Sequence, residues 1–151
     1  MKPDTEFITQ AITELDVSHI ENMELLFFAY RDFISDPDRI LADFKFGRAH
    51  HRVLFFVNRQ PGMTVAELLD TLKITKQSLA RVLKQLVEND YIGQSEGELD
   101  RRKRLLYPTK KGRDLVLALS QPQSERVAKA LQNLSDEEKN AVQRFMREMI
   151  G

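Results

Sequence analysis

Cysteine is absent from the 151-residue chain. Disulfide frameworks, thiolate metal sites and thiol-based redox switches are therefore excluded. Tryptophan is absent too, and glycine and proline are few, as in an ordinary soluble helical protein. No stretch approaches the roughly 20 uninterrupted apolar residues that a membrane span needs. The start, Met1-Lys2-Pro3-Asp4-Thr5-Glu6, lacks the basic lead and apolar core of a signal peptide. A soluble, cytoplasmic protein is the expectation. There is no glycine-rich phosphate loop and no G-x-S-x-G, so motifs give an enzyme reading no support. Internal repeats and low-complexity stretches are missing as well.

With 42% hydrophobic residues the chain has enough apolar material for a real core. Its length suits one compact domain with appended dimerisation helices. Net charge is zero, but the distribution is uneven. From Lys73 to Arg113 stand eleven Lys/Arg against five Asp/Glu; of 23 and 23 in the chain, that leaves 12 basic against 18 acidic elsewhere. A basic block between acidic flanks suits a protein that aims one surface at phosphate, although a solvated charged face would look the same.

Helical spacing predicts a first block from Asp4 to Ile34. Phe7, Ile8, Ala11, Ile12 and Leu15 form one stripe, and Ile20, Met23, Leu26, Phe27 and Tyr30 another. Asp16-Val17-Ser18 offers a cap between them, with Ser18 and Glu21 in capping-box spacing. Pro37 breaks the chain, and a third helix is expected from Leu41 to Asn58, ended by Gln60-Pro61-Gly62. Two short helices follow, capped by Thr64 and Thr75, with only Lys73-Ile74 between them. That is the helix-turn-helix pattern. Tyr91–Ser95 and Arg102–Tyr107 read as strands flanking a turn, a hairpin hung on the second helix. Thr109 caps a long amphipathic helix in which Pro122 gives a kink or a break. Ser135-Asp136-Glu137-Glu138 is a capping box that starts the last one.

The second short helix carries the main functional signal. With Leu79, Val82, Leu83 and Leu86 inward, its outer face presents Lys76, Gln77, Ala80, Arg81 and Lys84. Gln and Arg carry the donors and acceptors that read base edges in a major groove, and Lys, Ser and Thr suit phosphate oxygens. A merely polar, solvent-exposed helix is the alternative. In the hairpin, Asp100-Arg101-Arg102-Lys103-Arg104 sets four cations in a row, which self-repulsion makes costly unless an acid or a polyanion offsets it. An arginine at such a tip suits the enhanced negative potential of a narrow minor groove. Asp100 reads as the acid that orients a neighbouring arginine. A winged-helix module that docks a protein partner is the rival from another class.

The order of helix, two-helix reader, hairpin with Asp100 and Arg102 as D-x-R, then Thr109, Gly112 and Arg113, resembles the MarR family of regulators. Pro108 and Asp90 depart from its usual pattern. The segment Phe46-Gly47-Arg48-Ala49-His50-His51-Arg52 through Thr75-Lys76-Gln77-Ser78-Leu79 resembles the PetP-like branch of alphaproteobacteria. The resemblance implies a mainly α (α+β) fold, a winged helix-turn-helix with flanking dimerisation helices, and no enzymatic activity or cofactor. It divides the chain into N-terminal dimerisation helices (1–40), a DNA-binding domain (41–108; reader helix about 75–89, wing about 91–107) and C-terminal dimerisation helices (109–151). It further implies a homodimer on a pseudo-palindromic operator in double-stranded DNA. Thr75, Lys76, Gln77, Ser78 and Arg81 would then occupy the major groove, Lys84 the backbone, and Arg102, with Arg101 beside it, the minor groove.

His50-His51 is a tempting metal pair, but adjacent helical residues point roughly 100° apart and make poor joint ligands. No metal is expected. Arg48, His51 and Arg52 are candidates for a pocket that takes a small, aromatic or anionic effector, as such regulators commonly do; packing against acidic partners is the other reading. The aromatics Phe27, Phe28, Tyr30, Phe33, Phe44, Phe46, Phe55 and Phe56 could wall a cavity, but at helical spacing they suit core and dimer interface.

Overall fold

Residues 14–151 are described by the computed structural model, and they fall into two units that divide between Ser35 and Asp36. The expected stripe from Phe7 to Ile12 lies outside the described residues. Within them the first unit is one helix, α1 (Val17–Ser35), none of whose residues is buried. Its cap is not Ser18 with Glu21. The helix begins two residues earlier than that cap would set it, at Val17, and the Asp16 carboxylate accepts the Ser18 amide at 2.8 Å. Hydrogen bonds from Ser18 lower the Asp16 pKa below its usual value, which fits an anion at the positive end of a helix.

The second unit opens with α2 (Asp38–Asp43) and α3 (Arg48–Arg59), so the single helix expected from Leu41 to Asn58 is two. Lys45 takes a left-handed conformation with φ 57°. The Lys45 and Phe46 amides turn back to the carbonyls of Ala42 (3.0 Å) and Leu41 (2.9 Å). That is a Schellman closure with lysine where glycine is usual. Gly47, extended, then starts α3.

β1 (Met63–Thr64), α4 (Val65–Leu72), α5 (Lys76–Glu88), β2 (Ile92–Glu96) and β3 (Arg104–Pro108) follow. The sheet runs β1-β3-β2 and is antiparallel throughout. β1 is a strand that periodicity does not reveal; its two residues pair Met63 with Leu106 and Thr64 with Leu105. The Thr64 cap holds as a capping box: its hydroxyl accepts the Glu67 amide (3.1 Å), and Glu67 accepts the Thr64 amide (2.7 Å). α6 (Lys110–Leu131) passes through Pro122 as one helix. α7 (Asp136–Met149) carries the expected Ser135–Glu138 capping box.

The core draws on α2 to α6 and the sheet, while α7 contributes no buried residue. Leu41 of α2, Val53, Leu54 and Val57 of α3, Leu68 of α4, and Leu79, Val82, Leu83 and Leu86 of α5 close on Ile92, Leu106, Leu115 and Leu119. Each such side chain stabilises the fold by about 1.5–3 kcal/mol. The apolar side of α5 is spent on this core, and its polar side is what remains outside.

Candidate nucleic-acid interface

α4 and α5 are joined through Lys73, left-handed at φ 51°, ψ 44°. Thr75 closes the start of α5 by accepting the Ser78 amide at 3.1 Å. Every fully buried residue of α5 comes from the Leu79, Val82, Leu83 and Leu86 stripe. Lys76, Gln77, Arg81 and Lys84 are exposed with Thr75, while Ser78 is half-buried. Lys84 lies 3.9 Å from Glu88 in an exposed pair, an interaction worth little in water. The face therefore combines amide and guanidinium groups for base edges with lysines for phosphate, nearest the helix end where the dipole is positive.

The hairpin carries the second half of the surface. Ile92 to Glu96 pair with Pro108 to Arg104 in continuous register, so the tip spans residues 97–103. Sequence periodicity set the strands one or two residues too early. At the tip, Asp100 Oδ1 accepts the Arg102 amide at 3.0 Å and its Nε at 3.4 Å. The carboxylate thereby aims a guanidinium whose side chain is 93% exposed. Arg101 is exposed, and its carbonyl accepts Arg104 Nη1 at 3.2 Å. Arg104 also approaches Glu96 at 3.7 Å. Gly97 has no room for a side chain: a Cβ there would lie 2.7 Å from the Asp100 carbonyl oxygen.

Lys103 and Arg104, which the sequence marks only as members of the four-cation run, lie beside Arg102. With Arg102 they face residues Thr64 to Glu67 across a cleft of about 470 Å³. The four-cation run was the available signal; what it could not show was the fold of β3 back beside α4.

Besides the pairing of β3 with β1, a dense joint at Thr109 fastens the wing to the rest. Thr109 donates to the Asp90 carbonyl (2.6 Å) and accepts the Gly112 amide (3.0 Å). Its own amide donates to the Tyr91 carbonyl at 3.3 Å. Lys111 donates to the Asn89 carbonyl (2.9 Å) and lies 4.4 Å over the Tyr91 ring. Asp90 adopts φ 65°, a left-handed turn that Asp tolerates. This is why the departure from glycine there is harmless.

Arg48, His51 and Arg52 lie at i, i+3 and i+4 of α3 but in unlike surroundings. Arg48 makes a paired contact with Asp38, 2.9 Å at the closest. His51 is buried, and burial lowers its pKa below the ordinary 6.5. Its Nε2 finds no hydrogen-bond partner among the described residues. Arg52 is exposed. His50 does not act with His51: it turns toward Gln85, 2.6 Å away on α5. Among the described residues no group of three or more His, Asp or Glu could hold a metal, and no helix is long and apolar enough to cross a membrane.

Residues 45–103 match the MarR family profile. Over 110 residues the chain is 46% identical to the HTH-type transcriptional regulator PetP of Rhodobacter capsulatus, an alignment covering 73% of this chain and 66% of that protein. The chain thus spans slightly under two thirds of that relative's length. Among solved structures, a regulator of the family from Listeria monocytogenes complexed with 26mer DNA superposes with a TM-score of 0.72 at 20% identity, covering 84% of this chain and 85% of that one. Streptococcus pneumoniae FabT in complex with DNA gives 0.70 at 21%, covering 89% and 94%. The fold is shared over those spans. Matched across its two-helix reader and most of its wing, and close in sequence to a named regulator, this chain belongs to the MarR family of transcriptional regulators.

Proposed function

We propose that the protein binds a pseudo-palindromic operator as a homodimer, with α5 in the major groove and the wing in the adjacent minor groove. One observation carries the reading. A reader helix that exposes Lys76, Gln77, Arg81 and Lys84 stands in the same compact unit as a wing whose Arg102 is almost fully exposed and aimed by Asp100. Bidentate Gln and Arg contacts supply sequence discrimination, and an arginine in a narrow minor groove adds shape readout. Two structural neighbours were solved on DNA, which supports the same role here.

Dimerisation is supported by two apolar stripes, one in each unit. α1 exposes Met23, Leu26, Phe27 and Tyr30, and α7 exposes Val142, Phe145, Met146 and Met149. Contiguous apolar faces of this kind mark interaction surfaces. A two-fold dimer fits a palindrome because each copy reads one half-site a helical turn apart. An aromatic or anionic effector meeting the α3 stripe would find a charge partner in Arg52, and in Arg48 only in competition with Asp38, since burial disfavours the charged form of His51. It would act by shifting the spacing of the two reader helices.

The test is binding to duplexes from the protein's own promoter region, measured across salt, with sedimentation to give the oligomeric state. Specific binding by a dimer with a steep salt slope is expected. Sequence-indifferent binding, or none at low salt, would overturn the reading. Arg102→Ala should cost about 1–3 kcal/mol of operator affinity and leave the dimer intact.

A further inference from the structure

We infer that His50 is a positioning residue for operator recognition, locking the rotation of α5 through Gln85. The inference rests on the operator-binding reading above. His50 is 6% exposed, and both its ring nitrogens are engaged. Nδ1 lies 3.0 Å from the Gly47 amide nitrogen. A backbone N–H can only donate, so Nδ1 is the unprotonated nitrogen and the ring proton sits on Nε2. Nε2–H therefore donates to Gln85 Oε1 at 2.6 Å, and this fixes the orientation of that amide as well.

The ring is clamped on its face too. It stacks on Phe46 with centroids 4.6 Å apart and planes 15° from parallel. Phe46 in turn meets the edge of Tyr91 at 5.4 Å, directly before β2. One imidazole thus ties the start of α3 to the reader helix and, through two aromatic rings, to the base of the wing.

Gln85 is one turn beyond Arg81, which is one turn beyond Gln77, so all three share a stripe. Side-chain ends lie about 5–6 Å from a helix axis. A rotation of roughly 10° would therefore move the Arg81 head by about 1 Å, outside the narrow range in which paired hydrogen bonds to a base form. The His50–Gln85 bond resists that rotation without touching DNA.

Two variants separate positioning from folding. In His50→Gln the third helical residue can still reach back to the Gly47 amide, as in a capping box, but one amide cannot also span to Gln85. In Gln85→Met a surface residue of similar length loses its acceptor. The probe is a duplex selected from a random library by the wild-type protein, with a scrambled duplex beside it. Each variant should lose five- to thirtyfold in affinity for the selected duplex, with the scrambled duplex and the Tm little changed. The double variant should be no worse than the weaker single, because both sever one bond. Nitrogen-15 spectra should show the Nε2–H tautomer in the wild type and in Gln85→Met, because the Gly47 amide holds it in both, with the Nε2–H proton shifted downfield only where Gln85 accepts it.

Unchanged affinity, additive losses, equal loss on both duplexes, or an Nδ1–H tautomer in the wild type would overturn the inference. Failure of the operator reading is distinct. It would appear as a wild type with no sequence preference and an Arg102→Ala variant that binds alike, while the Nε2–H proton shift, wild type against Gln85→Met, would still decide the His50–Gln85 bond.

Discussion

Gly112→Ala tests the joint of the wing. By helix propensity alone the change should help, since Ala is favoured over Gly within a helix by about 1 kcal/mol. The space forbids it. A Cβ at position 112 would sit 2.0 Å from the Tyr91 carbonyl oxygen and 3.0 Å from its carbon. Both are backbone atoms, so no side chain can rotate away. Relief requires α6 to draw back by an ångström or more from residues 89–91. That movement strains the Thr109 amide bond to Tyr91 and the Thr109 hydroxyl bond to Asp90. Overpacking costs about 1–3 kcal/mol and each weakened hydrogen bond about 0.5–1.5. Set against the propensity gain, the net loss is about 1–5 kcal/mol, centred near 3. At a few degrees per kcal/mol for a domain of this size, Tm should fall by roughly 10 °C. Scanning calorimetry of the two proteins at matched concentration reads the difference. An unchanged or raised Tm would refute the close-approach argument and leave propensity as the governing effect.

Thr75→Ala removes the acceptor of the Ser78 amide and should lower stability by about 1 kcal/mol in urea unfolding, with weaker DNA binding as well. Gly97→Ala places a methyl 2.7 Å from the Asp100 carbonyl oxygen and 3.4 Å from Lys103 Cβ. It should distort the tip and reduce operator affinity several-fold in fluorescence titration, with Tm nearly constant. His51 has a folded-state pKa lowered below the unfolded 6.5, so below that pH the unfolded chain binds the extra proton. Stability should consequently fall as pH drops beneath about 6.5, by at most about 1.4 kcal/mol per unit, and level off below the folded pKa. His51→Gln should show a shallower fall in urea midpoints between pH 7.5 and 5; an identical profile would remove His51 as its source.

Much of this architecture is legible because its signals are local. Thr64, Thr75, Thr109 and Ser135 announce helix starts, since each cap closes on an amide three residues on. The buried stripe of α5 follows from a period of 3.6, and its exposed face follows by subtraction. The break at Lys45 was hidden because a lysine holds the left-handed position normally marked by glycine. β1 was hidden because two residues carry no period and become a strand only by pairing with Leu105 and Leu106, some forty residues later. The same limit conceals the His50–Gln85 bond, where two side chains 35 residues apart meet by tertiary packing alone. The Thr109–Gly112 spacing was recognisable as a family motif, but its physical content came from the structure: a cap and a missing side chain that let α6 touch residues 90 and 91.

Tightness and looseness in this unit are distributed unevenly. At the joint, Asn89, Asp90 and Tyr91 offer their carbonyls to Lys111, Thr109 hydroxyl and Thr109 amide in turn, and glycine is required. At the tip, Arg102 is held on one edge by a single carboxylate and is otherwise open to solvent. A rigid base fixes where the wing points relative to α5, while a solvent-exposed guanidinium can settle into a groove whose width varies with sequence. The two ends should therefore respond differently to substitution. Changes at the joint move the wing and the fold together, so stability and affinity fall in proportion. Changes at Arg102 alter affinity with the melting temperature unmoved. Plotted against each other across a set of variants, the two classes should fall on separate lines; a single line would mean that the tip is as much a part of the folded core as the joint is.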